Sequence, residues 1–144
     1  MNYTIERRNS DFTKAVNAEL WRTAGDGSKL GEVIKRVAEG EAREYYVNYE
    51  TAYRWVCQGL RGNFPCVEDS HKRRKWRELT RKVLEKMHQK PWYSIALALV
   101  EVLDNEKASS YFMNYETARW VYYCTMRRQR KSRCGGRIRH LTGK

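Results

Sequence analysis

The sequence has only two prolines in 144 residues and no apolar run that approaches eighteen residues. The scarcity of proline argues against a loop-rich all-β chain, and the short apolar runs exclude a membrane-spanning helix. Residues 1–8 lack the apolar core of a secretory signal peptide. We therefore expect a cytoplasmic protein that has reduced cysteines and no association with a membrane.

Catalytic motifs are also lacking. The sequence contains no Walker A P-loop, no GxGxxG pattern, no HExxH pattern and no GxSxG pattern. The glycine-rich residues 25–28 lack the lysine that a P-loop places before its serine, and they are typical of a turn between helices. The sequence thus predicts a protein that is not an enzyme and that needs no cofactor.

A zinc site can be assembled only from widely spaced residues. Cys66 and His71, together with Cys134 and His140, would supply two thiolates and two imidazoles. Structural zinc sites usually contain a tight Cys-x2-Cys or His-x3-His pair, and this sequence has neither. The spacing favours ordinary thiols and exposed histidines, so no metal is expected.

The sequence does contain a repeated five-residue word. NYETA occurs at residues 48–52 and again at residues 114–118, and each copy is preceded by two aromatic residues and an apolar one. The recurrence predicts an internal duplication. We expect an all-α fold of two similar three-helix units, residues 1–62 and 63–126, packed as one compact domain. Residues 127–144 would form a basic, partly flexible C-terminal tail.

The first unit is predicted from apolar residues at helical spacing. Residues 1–10 read as a loosely held arm, and Asp11 and Ser28 are the expected N-caps of the first and second helices. Asn48, the first residue of the repeated word, is the expected N-cap of the third helix. Residues 43–47, and residues 109–113 in the second unit, are left open as loop, strand or helix.

The second unit is predicted in the same way. One helix would start at Asp69 or Ser70. The next would cover Trp92 to Leu103, with Pro91 in its first turn. That helix is apolar nearly all round, which predicts a central element buried on several sides. Asn114 would cap the last helix, and that helix would end at residues 134–136. In the alignment of the two units, Ile34 and Val100 would occupy equivalent positions.

Positive charge is concentrated in the second half of the chain. The net charge is −1 over residues 1–70, +5 over residues 71–126 and +8 over residues 127–144, which contain no acidic residue. This asymmetry indicates a polyanionic partner, most often nucleic acid. Cations also crowd the predicted first turns of the fourth helix, where they oppose the helix dipole, and a bound anion would relieve that repulsion.

Two basic clusters are the candidate nucleic-acid-binding residues, since arginine binds phosphate through two parallel hydrogen bonds. The candidates are Lys72, Arg73, Arg74, Lys75, Arg77, Arg81, Arg119, Arg127, Arg128, Arg130, Lys131, Arg133, Arg137 and Arg139. Lys82 lies on the same stretch of the fourth helix. A solvated tail that serves solubility is the alternative to phosphate binding.

Aromatic residues beside these clusters are a second candidate feature, because aromatic rings interleaved with arginine can stack on unpaired bases. They are Tyr45, Tyr46, Tyr111, Phe112, Trp120, Tyr122 and Tyr123. Aromatics at helical spacing more often belong to a core.

The sequence favours a small, non-enzymatic nucleic-acid-binding protein, a regulator or an accessory factor of a mobile element or phage. DNA is favoured over RNA, by analogy with three-helix units that place a basic third helix in the major groove. The alternative is a protein-interaction module whose basic tail and exposed aromatics dock an acidic partner. Homodimer formation is left open.

Overall fold

A computed structural model of the chain describes residues 3–62 and 70–142, and it describes side chains as far as residue 131. These residues form six helices: α1 (Tyr3–Arg22), α2 (Leu30–Glu39), α3 (Tyr49–Leu60), α4 (Ser70–Gln89), α5 (Ile95–Asn105) and α6 (Tyr115–Thr142). No strand is present in this part of the chain, so the all-α prediction is confirmed. None of the helices found there is long and apolar enough to cross a membrane.

Both copies of the repeated word begin a helix in the same way. The side chain of Asn48 accepts a hydrogen bond from the Thr51 backbone N–H at 2.8 Å, and Asn114 accepts one from Thr117 at 2.8 Å. Each bond satisfies one of the backbone donors that the first turn leaves without a helical partner. The prediction of an asparagine N-cap at α3 and α6 is confirmed.

Two predicted helix starts in the first unit are wrong. α1 begins at Tyr3, so Asp11 lies inside the helix, where its carboxylate accepts a hydrogen bond from the Tyr46 hydroxyl at 2.7 Å. α2 begins after Lys29, whose side chain makes no capping hydrogen bond, instead of after Ser28. The Asp11 carboxylate could cap a helix, but in the structure it binds Tyr46, which is distant in sequence.

The boundaries of α5 and α6 also differ from the prediction. Pro91 and Trp92 lie outside α5, because Ser94 is its N-cap and the Ser94 hydroxyl accepts a hydrogen bond from the Leu97 N–H at 3.2 Å. α6 does not stop at residues 134–136 but continues to Thr142, so the predicted tail is helical to that residue. Two glycines cost a helix about 1 kcal/mol each, and the arginines around them are good helix formers that suit its C-terminal end.

The six helices pack in two groups of three. α1, α2 and α6 contact one another, and so do α3, α4 and α5, while the described helices make no backbone contact between the groups. The helices that pack together are therefore not three that follow one another in sequence. The third helix of each predicted unit packs against the first two helices of the other.

The two segments that cross between the groups lie against each other. Ala42 and Ala108 form an antiparallel bridge, with reciprocal backbone hydrogen bonds of 2.9 and 3.0 Å. The Ala38 carbonyl accepts bonds from the Tyr111 N–H and from the hydroxyl of buried Ser110. Residues 43–47 and 109–113, left open by the sequence, are therefore irregular segments next to this bridge.

α5 is not the central helix that its sequence predicts. Ala98, Leu99 and Val102 are buried, but Leu97 and Val100 are 56% and 42% exposed. Since α5 contacts only α3 and α4 among the described helices, its outer face remains open to solvent. Val100 and Ile34, which the sequence places at equivalent positions, therefore differ in burial, since Ile34 is 1% exposed.

Candidate nucleic-acid interface

The C-terminal part of α6 carries the most accessible basic cluster. Met126 is the last described residue of α6 that packs against the core, and Arg127, Arg128, Arg130 and Lys131 are all exposed. At about 100° per residue, these four cations cover an arc of roughly 160° on the helix surface. No ion pair joins any of the four to an acidic residue within residues 3–62 and 70–142.

The helix continues well past the core. α6 contains 28 residues, and the part after Met126 extends for about 24 Å at 1.5 Å per residue. The candidates Arg133, Arg137 and Arg139 lie on this helical segment, although their side chains are outside the described part. The part of α6 after Met126 therefore contains seven of the candidate basic residues in one continuous helix.

Arg119 is on the same helix but nearer its start. Its guanidinium lies 5.7 Å from the centre of the exposed Tyr123 ring, and Trp120 beside it is 65% exposed. Two helical turns, about 12 Å, separate Arg119 from Arg127. Arg119 is thus placed with two exposed aromatic rings. It lies apart from the distal basic cluster, which consists of Arg127, Arg128, Arg130 and Lys131.

The α4 cluster is built into the fold to a larger extent than the sequence suggested. The Lys75 ammonium is mostly buried and donates a hydrogen bond to the Tyr46 carbonyl at 3.3 Å. Burial, with repulsion from Arg8 and Lys72, lowers the pKa of Lys75 to about 8. Lys82 donates to the Lys107 carbonyl at 2.6 Å and lies 5.1 Å from the centre of the Tyr45 ring. These contacts place both lysines among the structural residues of the protein.

The other α4 candidates lie closer to solvent. Lys72 lies 5.7 Å from the Trp55 ring centre, Arg73 is half-buried, and Arg81 forms an ion pair with Glu85 at 2.7 Å. Arg74 lies 5.9 Å from the ring centre of Phe112. Arg74, Arg77 and Arg81 line one surface pocket of about 300 Å³ together with Glu78, Ser109 and Phe112. Their guanidinium groups therefore share that pocket with one carboxylate.

A larger groove lies between α1 and α6, at the start of the distal basic cluster. Its volume is about 580 Å³, and it is lined by Asn17, Leu20, Trp21, Ala24, Met126, Gln129 and Arg130. The Tyr122 hydroxyl donates to the Asn17 side-chain oxygen at 2.8 Å, which holds that side chain against α6. The sequence reasoning missed Trp21, which is 85% exposed. The signal in the sequence is the position of Trp21 directly after Leu20, outside the apolar stripe of α1, where a side chain faces solvent.

Most of the aromatic candidates belong to the core. Tyr45, Tyr46, Tyr111 and Tyr122 are buried, and the Tyr46 and Tyr111 rings stack with their centres 6.0 Å apart. Burial, together with the hydrogen bond to Asp11, raises the pKa of Tyr46 well above its usual value. Among the aromatic candidates in the described residues, only Trp120 and Tyr123 are exposed, while Phe112 is half-buried.

The zinc alternative falls largely outside the described residues. The side chains of Cys66, Cys134 and His140 are not described, and His71 is half-buried near the start of α4. Within the described part of the chain, no three histidine, cysteine or acidic side chains come together in a way that could hold a metal ion. Cys57 and Cys124 are free, half-buried thiols.

Comparison with protein-family models, with characterised proteins and with solved structures finds no match to this chain.

Proposed function

We propose that this protein is a non-enzymatic nucleic-acid-binding protein and that the distal part of α6 is its anchor. The observation that carries the proposal is the exposure of Arg127, Arg128, Arg130 and Lys131 on a helix that extends past the core. With no described acid bonded to them, these cations are available to phosphate groups. Such contacts release counterions from a polyanion and dominate its affinity.

DNA is the favoured ligand because of the shape of the anchor. An α-helix fits the major groove of B-form DNA, which is about 12 Å wide, whereas the major groove of A-form RNA is too narrow for side chains to read. α6 is the basic member of the group formed with α1 and α2. This grouping supports the fold-level analogy with proteins that present a third helix to the major groove.

The duplication is part of the same proposal. Asn48 and Asn114 cap their helices identically, Ala42 pairs with Ala108, and Tyr46 and Phe112 have matching φ values of 53° and 54°. Each pair is separated by 66 positions. A tandem copy whose third helices exchanged partners explains all three correspondences. In it, the second copy acquired the long basic extension and the ligand.

The direct test is charge reversal on α6. The triple variant Arg127→Glu, Arg128→Glu and Arg130→Glu is compared with Lys35→Glu, Arg54→Glu and Arg61→Glu, which makes the same change in charge at exposed sites on α2 and at α3. Fluorescence anisotropy with a labelled DNA duplex should show a loss of roughly 100-fold or more for the α6 variant only, since phosphate contacts govern affinity. Equal losses in both variants would mean that net charge, not α6, is responsible.

An acidic protein is the second candidate partner. Trp120 and Tyr123 are exposed next to Arg119, and rings of this kind with arginine are enriched at the centres of protein interfaces. If wild type binds no nucleic acid at low salt, while Trp120→Ala abolishes capture of an acidic partner, this alternative replaces the first.

A further inference from the structure

We propose that the groove between α1 and α6 receives an unpaired base of the bound nucleic acid and that this base stacks on Trp21. The inference rests on the proposed function and extends it: besides the duplex that α6 would bind, the ligand class includes nucleic acid that contains at least one unpaired nucleotide. Three features of the groove lead to this assignment, namely its exposed ring, its charge and its polar lining.

The exposed ring is the first feature. Trp21 is 85% exposed although it neighbours Leu20, which is packed against the core. The groove volume of about 580 Å³ falls within the range of about 300–1,000 Å³ that is usual for small-ligand sites. A nucleobase stacked on the indole would cover apolar surface that is now in water. Stacking of this kind accepts every base, because each has a π-face.

Charge is the second feature. Arg130 lines the groove, and Arg127, Arg128 and Lys131 lie within one helical turn of it. A strand whose base entered the groove would therefore bring its phosphates to the distal basic cluster. Glu19, the closest acid to Trp21 along α1, is already bonded to Arg22 and Arg36. Its negative charge is thus compensated within the protein.

The polar lining is the third feature. Gln129 is exposed in the groove wall, and its amide can both donate to and accept from a base edge. The Asn17 amide is fixed in place by the Tyr122 hydroxyl and by a contact of its nitrogen with the Met126 sulfur at 3.6 Å. A paired base inside a duplex has both faces covered by its neighbours. Only an unpaired base can present a face to Trp21 and an edge to Gln129.

The experiment compares Trp21→Ala and Trp21→Phe with Trp92→Ala in the full chain. Trp92 is a matched control because it is 75% exposed and precedes α5 in the other helix group. Each protein is titrated against one labelled sequence as single-stranded DNA, as duplex DNA and as single-stranded RNA. The two single strands distinguish the two sources of an unpaired base.

We expect Trp21→Ala to weaken single-strand binding about 5- to 150-fold, the range for the loss of one stacked base. Duplex binding should stay within about twofold of wild type, Trp21→Phe should retain most of the affinity, and Trp92→Ala should match wild type. Intrinsic tryptophan fluorescence should fall on single-strand binding in wild type more than in Trp21→Ala.

Two results would overturn the inference and leave the proposed function standing. One is unchanged single-strand binding by Trp21→Ala, and the other is an equal loss for single strands and duplex. In both cases the α6 charge reversal would still abolish binding. If wild type bound none of the three ligands, the proposed function and this inference would fail together.

Discussion

Ala42 and Ala108 exchange two backbone hydrogen bonds at the point where the two halves of the chain cross. Both side chains are essentially without solvent contact, at 1% and 0% exposure. The crossing sends α3 to pack with α4 and α5, and α6 to pack with α1 and α2. The bridge therefore joins the two segments that connect the helix groups.

Enlarging either alanine should destabilise the whole fold. We expect Ala42→Leu and Ala108→Leu each to lower the free energy of unfolding by about 1–3 kcal/mol, the usual cost of overpacking a filled site. Ala18→Leu, at an exposed position on α1, should have little effect. Urea denaturation followed by circular dichroism measures all three variants. A fully tolerated Ala108→Leu would mean that the crossing is not tightly packed.

The two asparagine caps should contribute equally if the halves are copies. Asn48→Ala and Asn114→Ala each remove a hydrogen bond of 2.8 Å to the third residue of the helix, and each should cost about 1 kcal/mol. The same urea titration compares them. A cost confined to one asparagine would contradict the structural equivalence.

The start of α2 has no side-chain cap, so adding a capping residue there is the opposite test. Lys29 has the extended backbone angles of an N-cap, φ −81° and ψ 148°, but its side chain makes no capping bond. Lys29→Asn should therefore raise the free energy of unfolding by about 0.5–1 kcal/mol. If the free energy of unfolding does not increase, the contacts of α2 with its neighbours already fix its first turn.

Lys75 should make stability depend on alkaline pH. Its pKa is lowered to about 8 in the folded chain, from an ordinary 10.5, chiefly by burial. Between these values the unfolded chain binds more protons than the folded chain, so this group raises the free energy of unfolding as the pH rises. The full shift corresponds to no more than roughly 3–4 kcal/mol.

The variant Lys75→Met should lose this pH dependence. Thermal or urea unfolding of wild type and variant at pH 7 and pH 10 isolates the contribution, because titration of the tyrosines is common to both. The difference, wild type minus variant, should increase towards pH 10. A constant difference would show that the Lys75 amine is solvated.

The sequence predicts the local features of this fold better than its connections. A side chain such as Asn48 acts within its own helical turn, so its role can be read from neighbours along the chain. An apolar stripe, by contrast, indicates that one face of α3 is buried, but it does not indicate which helices cover that face. The packing of α3 with α4 and α5, and of α6 with α1 and α2, therefore could not be predicted from periodicity.

The candidate interface divides in the same way. Arg127–Lys131 follow the last core residue of α6, and their exposure agrees with a run that contains no acidic or apolar residue. Lys75 and Lys82 belong to an equally basic run, yet backbone carbonyls from other segments bind them. Those carbonyls come from residues 46 and 107, next to the crossing. Only the tertiary structure brings them to α4.

The salt dependence of DNA binding by the full chain tests the central claim most directly. If α6 is a phosphate-binding anchor, a plot of log Kobs against log salt concentration should have a slope of roughly −4 from the four described cations. The slope should reach roughly −6 if Arg133, Arg137 and Arg139 also contact phosphates. The α6 charge-reversal variant should lose most of this slope. Absence of binding at 50 mM salt, or a slope near zero, would contradict the account.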